Sequence, residues 1–300
     1  MKILKYLIKR DIKLFFKDKG MFFTALITPL ILLMLYATFL GNVYRDAFVS
    51  AIDMVGVKVK DDVIDALVGG QLFSSLLAVS CVTVSFCANF LMVQDKANGT
   101  SADISITPTS PSLVALGYYL STTISATFIS VIATIANIIY LKNVGWYLTA
   151  TDIFYIFIDV VILVAFGTAL SSVINFFLST QGQISAVGSI VSSCYGFICG
   201  AYMPLSQLSE GFRTVTSFLP GTYGTSLLRQ HTMGSAFDAL ENEGIPLEII
   251  DSLKEAVDYN VVFFDKTVST STMYLYLAIT VLVLIIVYVL LNIFKKKKKG

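Results

Sequence analysis

The chain has 300 residues, of which 56% are hydrophobic, with 20 acidic side chains, 21 basic side chains and one histidine. A mean hydropathy of +0.78 excludes a soluble globular or disordered class and predicts a polytopic membrane protein with room for about six spans of about 20 residues each. The nearly balanced charge gives no footprint for a nucleic-acid partner, and no secretory signal peptide is expected, because no small-residue cleavage pattern follows the first apolar run.

Residues 2–19 read KILKYLIKRDIKLFFKDK. Leu4, Leu7, Ile8, Ile12 and Phe15 share one helical face, while Lys5, Lys9, Lys13 and Lys17 recur every four residues on another. This predicts an amphipathic helix over 1–20 lying at the membrane surface, with membrane lipids as its partner. A first span is expected over 21–40, with Pro29 inside it. An acidic loop to residue 70 follows, then a second span over 72–93 and a polar connection over 94–112. Within that connection Ser101 is placed to cap a short helix and Pro108 to stop it. The third span is expected over 113–141 and is long enough to tilt or to extend beyond the bilayer. Trp146 and Tyr147 suit an interfacial belt.

A fourth span is expected over 153–178. It contains Asp159, an intramembrane acid and hence a candidate pathway residue, although at two turns from Ile153 it could instead face water. The fifth span is expected over 183–203. On it Gly188, Ser192, Gly196 and Gly200 fall four residues apart as a small-residue packing stripe, against another span or a second copy. Gly196 to Gly234 is too apolar for a free loop and too interrupted for a span, so it is expected to dip into or cap the membrane. A polar insert over 235–271 carries eight acids and two lysines. The sixth span is expected over 273–294, ahead of a basic tail over 295–300.

Seven basic residues in the first segment and five in the tail place both termini in the cytoplasm by the positive-inside rule, and an even span number requires the same. The 94–112 connection is then cytoplasmic and the 204–272 region faces outward. The fold class is therefore an all-α polytopic membrane protein with six transmembrane helices, an amphipathic interface helix before them and a re-entrant outer hairpin between spans five and six.

No phosphate-cradling P-loop, HExxH, paired CxxC or GxSxG occurs, so no catalytic residue, metal ligand or enzymatic activity is expected in this chain. Cys81, Cys87, Cys194 and Cys199 all lie within apolar runs and read as packing residues. His231 reads as a polar residue at the outer membrane edge.

Two motifs remain. The first is Gln94-Asp95-Lys96-Ala97-Asn98-Gly99-Thr100, followed by Thr107-Pro108. The second is Gly200-Ala201-Tyr202-Met203-Pro204, then Leu219-Pro220-Gly221-Thr222-Tyr223, Arg229 and Gly234. Together with the order of spans, they resemble the membrane-spanning permease subunit of type-2 ABC exporters, over essentially the entire chain. The resemblance implies a half-transporter paired with a separate ATP-binding subunit that holds the ATP and magnesium, and with a second permease copy or paralogue. It implies that Asp95, Gly99, Thr100, Asp103, Thr107 and Pro108 form the coupling segment to the ATPase. Pro204, Pro220, Tyr223 and Arg229 would belong to the outer gate. The implied function is export of a hydrophobic or amphipathic molecule (a drug or antibiotic, a peptide or a lipid-linked molecule) across the cytoplasmic membrane. Two alternatives are a secondary transporter driven by an ion gradient and a membrane immunity or assembly protein.

Overall fold

The computed structural model describes residues 2–53, 58–263 and 266–297. Its elements, in chain order, begin with α1 (Lys2–Lys17) and α2 (Lys19–Leu35), which runs through a π-helical turn (Tyr36–Leu40) into α3 (Gly41–Asp53). Then come α4 (Asp61–Ala97), α5 (Thr100–Ser105), α6 (Pro111–Val144), α7 (Ala150–Phe176) and α8 (Gln181–Ile198). A 3-10 turn (Leu205–Gln207) precedes α9 (Glu210–Thr216), α10 (Pro220–Asn242) and α11 (Leu247–Ala256). A two-stranded hairpin pairing Val262 with Thr267 leads into α12 (Thr270–Lys297).

Helix α4 is the axis of the bundle. It packs against α2, α6, α7, α8 and α10. Its most apolar stretch is almost wholly enclosed, whereas few residues in those of α2 and α12 are buried. The exposed Phe23, Ile27, Leu30 and Ile31 of α2, and Leu275, Ile279, Leu282 and Ile286 of α12, form apolar outer surfaces suited to lipid. Enclosure on every side requires small residues where neighbours come closest. Gly167 of α7 lies so near α4 that a methyl group there would meet Val82 Cα at 2.9 Å, and Gly70 of α4 faces the Thr232 carbonyl oxygen of α10 at 2.7 Å in the same sense.

Polar side chains tie the axis to its neighbours. Asn89 donates to Ser171 Oγ at 2.8 Å and to Ser172 Oγ at 2.9 Å on α7, and Thr122 of α6 donates back to Asn89 Oδ1 at 3.4 Å. Such bonds are worth about 0.6–2 kcal/mol each between membrane helices.

Among the described residues, five helical stretches are long and apolar enough to cross a membrane: Lys19–Asp53, Asp61–Ala97, Pro111–Val144, Ala150–Phe176 and Thr270–Lys295. The chain is therefore a multi-pass, all-α membrane protein. Several expected boundaries move. The first span does not end at 40, because the helix continues through the π turn into α3. The acidic loop is largely helical, and α4 begins eleven residues before the expected second span. At 37 residues α4 is about 55 Å long, well beyond a hydrocarbon core of about 30 Å. Its acidic first turns are neutralised laterally, with Arg45 of α3 pairing with Asp61 at 2.7 Å and with Asp65.

The fifth stretch, expected over 183–203, is only the 18-residue α8, and it is not among the five apolar stretches. Its chain turns back at Gly200, whose φ of +72° lies in the region that favours glycine. The 235–271 insert is not a separate segment either, since α10 runs through Ser235 to Asn242 before α11. In the basic tail, α12 carries on to Lys297, and residues 298–300 lie outside those described.

The close α4–α7 approach makes a direct prediction. Gly167→Ala must push a methyl group into the α4 backbone and should cost about 1–3 kcal/mol, read as a lower melting temperature in detergent. Gly182→Ala, which meets nothing within 4 Å, should leave the melting temperature within experimental error of the parent. Equal melting of the two variants would exclude tight packing at Gly167.

Candidate functional site

One candidate is built around the carboxy-terminal end of α4. The helix closes at Asn98, and Gly99 then takes φ +82°, ψ −11°, a left-handed conformation that costs any other residue about 1–2 kcal/mol. Open space surrounds Gly99, so the backbone angle and not crowding explains the glycine. This kink throws α5 away from the bundle, and none of its residues is buried. Gly99, not Ser101, occupies the cap position, and Ser101 lies within the helix. Thr100 and Asp103 lie in the short helix. Thr107 donates to the Ile104 carbonyl oxygen at 2.7 Å and to Thr109 Oγ1 at 3.0 Å, folding the return ahead of Pro108. Ser110 then caps α6 by accepting from the Leu113 N–H at 3.4 Å, with Pro111 at its first position. At the tip Ile106 is 85% exposed.

Asp95 is placed differently from the rest of that set. It belongs to α4, is buried, and faces inward. Arg10 Nη2 of α1 donates to both of its carboxylate oxygens, at 2.9 and 2.8 Å, and the Tyr118 hydroxyl of α6 donates to Oδ2 at 2.6 Å. Arg10 Nη1 also donates to Asp11 at 2.8 Å, and Ser121 of α6 donates to Asp11 at 3.3 Å. The neighbouring residue, Lys96, turns the other way. Its ammonium donates to the Asn175, Phe176 and Leu178 carbonyl oxygens at 2.8, 2.8 and 2.9 Å, capping the carboxy-terminal end of α7. Two consecutive residues of α4 thus clamp α1, α6 and α7 immediately before the chain enters α5.

The amphipathic reading of α1 holds in detail. Lys5, Lys9, Lys13 and Lys17 are all exposed, while Leu4, Leu7, Ile8, Ile12 and Phe15 turn inward, with α1 packed along α6. Arg10 and Asp11 were not singled out by their spacing. The available signal was the one arginine among six lysines, arginine being suited to a buried two-oxygen contact with a carboxylate.

At the opposite end, the outer residues come together around the turn after α8. Pro204 precedes the 3-10 turn and is buried. Pro220 occupies the first position of α10, and the Tyr223 hydroxyl donates to the Ser217 carbonyl oxygen at 2.7 Å. Arg229 reaches across from α10 and donates to the Gly200 carbonyl oxygen at 2.6 Å, pinning the turn. The expected small-residue stripe divides. Gly188 faces the Phe90 ring of α4, Gly196 faces the Tyr202 ring of its own returning chain, Ser192 is exposed, and Gly200 lies in the turn beyond the helix.

Asp159 is fully enclosed, so it does not face water at the outer end. His231 Nδ1 lies 2.7 Å from its Oδ2, the Tyr274 hydroxyl donates to its Oδ1, and the Tyr155 ring stacks on His231 at 4.9 Å. His231 is thus the partner of Asp159 and not a lone edge residue. Among the described residues no group of three or more His, Cys, Asp and Glu side chains could hold a metal ion.

Burial of Asp11 against α6 pushes its carboxyl up to about 6, desolvation outweighing the attraction of Arg10. A carboxyl raised in the folded state adds stability that is full below its unfolded value near 4 and is lost as pH rises through about 6. Asp11→Asn should therefore flatten the fall in melting temperature between pH 4 and pH 7 and should melt no lower than the parent at pH 7.5. Asp95→Asn should instead lower the melting temperature, by the equivalent of about 1–3 kcal/mol, since a neutral amide replaces the two-oxygen carboxylate contact and leaves half-buried Arg10 with Asp11 alone. A pH profile unchanged in Asp11→Asn would remove Asp11 as the source of that slope.

Residues 3–232 match the family of ABC-2 type transporters. No curated protein matches the chain. The match extends from α1 through both ends of the bundle described above and covers well over half of the sequence, so this chain belongs to the ABC-2 type transporter family, as a membrane-embedded permease component.

Proposed function

We propose that the chain is the transmembrane subunit of an ATP-driven exporter, with α5 as the element on which a separate ATP-binding subunit acts. Permeases of this family normally work with such a subunit. The observation that carries the reading is the contrast at the end of α4: a short helix with no buried residue and an exposed apolar residue at its tip follows directly on an ionic clamp around the buried Asp95. An exposed Ile106 suits insertion into a cleft of a soluble partner. The clamp supplies the stiffness by which displacement of α5 would move α1, α4, α6 and α7 together.

In this reading both termini and α5 face the cytoplasm, α8 supplies the sixth crossing of a cytoplasmic-membrane protein, and the α9–α10 segment forms the outer re-entrant hairpin. A second permease copy or a paralogue covers α8. In support, Ser185, Ser189, Ser192 and Ser193 are exposed on that helix, and such small polar residues suit helix–helix contact better than lipid. The cargo class is hydrophobic or amphipathic, with ATP and magnesium held by the partner. A gradient-driven mechanism is less well supported, because the Asp159 carboxylate is already closed by His231 and Tyr274.

The test is co-purification from mild detergent with the cognate ATP-binding subunit, followed by an ATPase assay. Gly99→Pro is incompatible with φ +82° and removes an N–H that donates to Lys96, while Ile106→Asp changes only the exposed tip. Both should insert normally in the membrane and lower either ATPase association or coupled hydrolysis several-fold. Parental association and hydrolysis in both variants would overturn the assignment of α5.

A further inference from the structure

The turn after α8, helix α9, the start of α10 and the segment after α11 enclose a small half-open cavity of about 30 Å³. That is more than the 10–15 Å³ that one water requires, and its wall is unusually rich in fixed positive charge. Arg229 and Arg213 both line it, against a single acid, Asp258.

Arg229 is 2% exposed. Its Nη2 donates to the Gly200 carbonyl oxygen, and its Nη1 donates weakly to the Asp258 carbonyl oxygen at 3.4 Å and lies 3.7 Å from the Asp258 carboxylate. Its Nε finds no acceptor. A buried guanidinium N–H without a partner is costly, by about 1–3 kcal/mol or more. The Asp258 carboxylate is drawn off in another direction, where it accepts the Leu205 N–H. Arg213 forms no ion pair among the described residues.

The remaining wall groups narrow the chemistry. The hydroxyl protons of Ser217 and Thr222 are committed to the carbonyl oxygens of Thr214 and Thr216. Asn260 accepts from Gln230 through its Oδ1, which leaves its amide N–H groups as donors. Among the described residues the cavity therefore offers two guanidinium groups and an amide as donors beside the one carboxylate of Asp258, and a net positive charge. That set matches an acceptor-only anion with several oxygens in a plane or tetrahedron.

We propose that this cavity binds a phosphate group at the end of the bundle opposite α5. Two sources carry that chemistry: free inorganic phosphate, or the headgroup of a phospholipid. Helix α9 and the turn after it present Phe212, Val215 and Phe218 to the outside, an apolar surface on which acyl chains could rest beside a bound headgroup. Nothing in this proposal depends on ATP or on a partner subunit.

The experiment uses the full chain purified in detergent, as parent and as Arg213→Gln. Arg213 lies on the half-exposed wall and holds no ion pair, so its replacement leaves the Arg229 bonds to Gly200 and Asp258 in place. One arm measures radiolabelled inorganic phosphate by equilibrium dialysis, against a chloride background. The other measures retained phospholipid by native mass spectrometry after detergent washing. The expected result is one equivalent of phosphate bound, or one phospholipid retained, in the parent, with a loss of about tenfold or more in Arg213→Gln while the protein stays monodisperse. Loss in the first arm identifies free phosphate as the source, and loss in the second identifies the lipid. If the parent binds neither, or if Arg213→Gln binds as the parent does, the site is overturned.

Discussion

A helix enclosed by other helices on every side must trade side-chain volume for proximity, and α4 shows the consequences along its whole length. Its neighbours come close enough that Gly70 and Gly167 face backbone atoms directly. Serine, threonine and asparagine side chains along it bond to its own carbonyls or to α6 and α7. Lipid provides no hydrophobic drive between apolar helices, so such close contact and such bonds are what hold the bundle. Because every other long helix is arranged around α4, a displacement of one end of this rod cannot be absorbed locally in soft side-chain packing.

The two ends of the rod are held by different means. At the Asp61 end, largely exposed charges do the work, with Arg45 against Asp61 and Asp65, and Lys60 against Glu243 of α10. Exposed pairs of this kind contribute little each and weaken with salt. At the α5 end Asp95 is buried, and Arg10 and Lys96 are half-buried. Asp95 and Arg10 share two hydrogen bonds, and Lys96 satisfies three carbonyls at the end of α7. A buried pair of this quality resists separation far more than it adds to net stability. The rigid end is therefore the end from which the exposed α5 projects, and the more yielding end lies where α8 turns back. A lever works in that arrangement only if force enters at α5, which agrees with the proposed direction of coupling.

Much of this architecture was legible in the amino-acid order. The four-residue repeat of lysines in α1, the apolar runs and the Gly99 and Pro108 punctuation each reflect local physics, and each has its counterpart in the fold. The misplacements share one cause: hydropathy registers apolar runs and not helices. Asp61 to Gly70 was read as loop because its acids look solvated, yet Arg45 pairs sideways with Asp61 and Asp65 and the helix simply begins earlier. Asp95 was placed with the coupling segment by the family resemblance, which carries no information on its burial. Its burial depends on Arg10, 85 positions away, and no local pattern announces that pairing. The same holds for Asp159 and His231, which are separated by 72 positions. The small-residue stripe failed for a further reason. A four-residue spacing supposes a straight helix, and the helix ends before Gly200.

The outer end follows a consistent rule for charge in an apolar setting. Asp159 is closed by imidazole and phenol groups, and Arg229 by carbonyl oxygens and Asp258. An intramembrane charge survives only where partners replace its water. By that rule Asp159 is complete, with both oxygens engaged, and acts as a structural tie among α7, α10 and α12. Arg229 is incomplete, with one N–H left over beside a cavity that Arg213 also lines. Of the two buried charges, the one that sequence logic would single out as an intramembrane acid is therefore satisfied by its own chain. The unsatisfied one is the arginine that pins the turn of α8, where a bound anion would complete its hydrogen bonding and stiffen the turn at the same time.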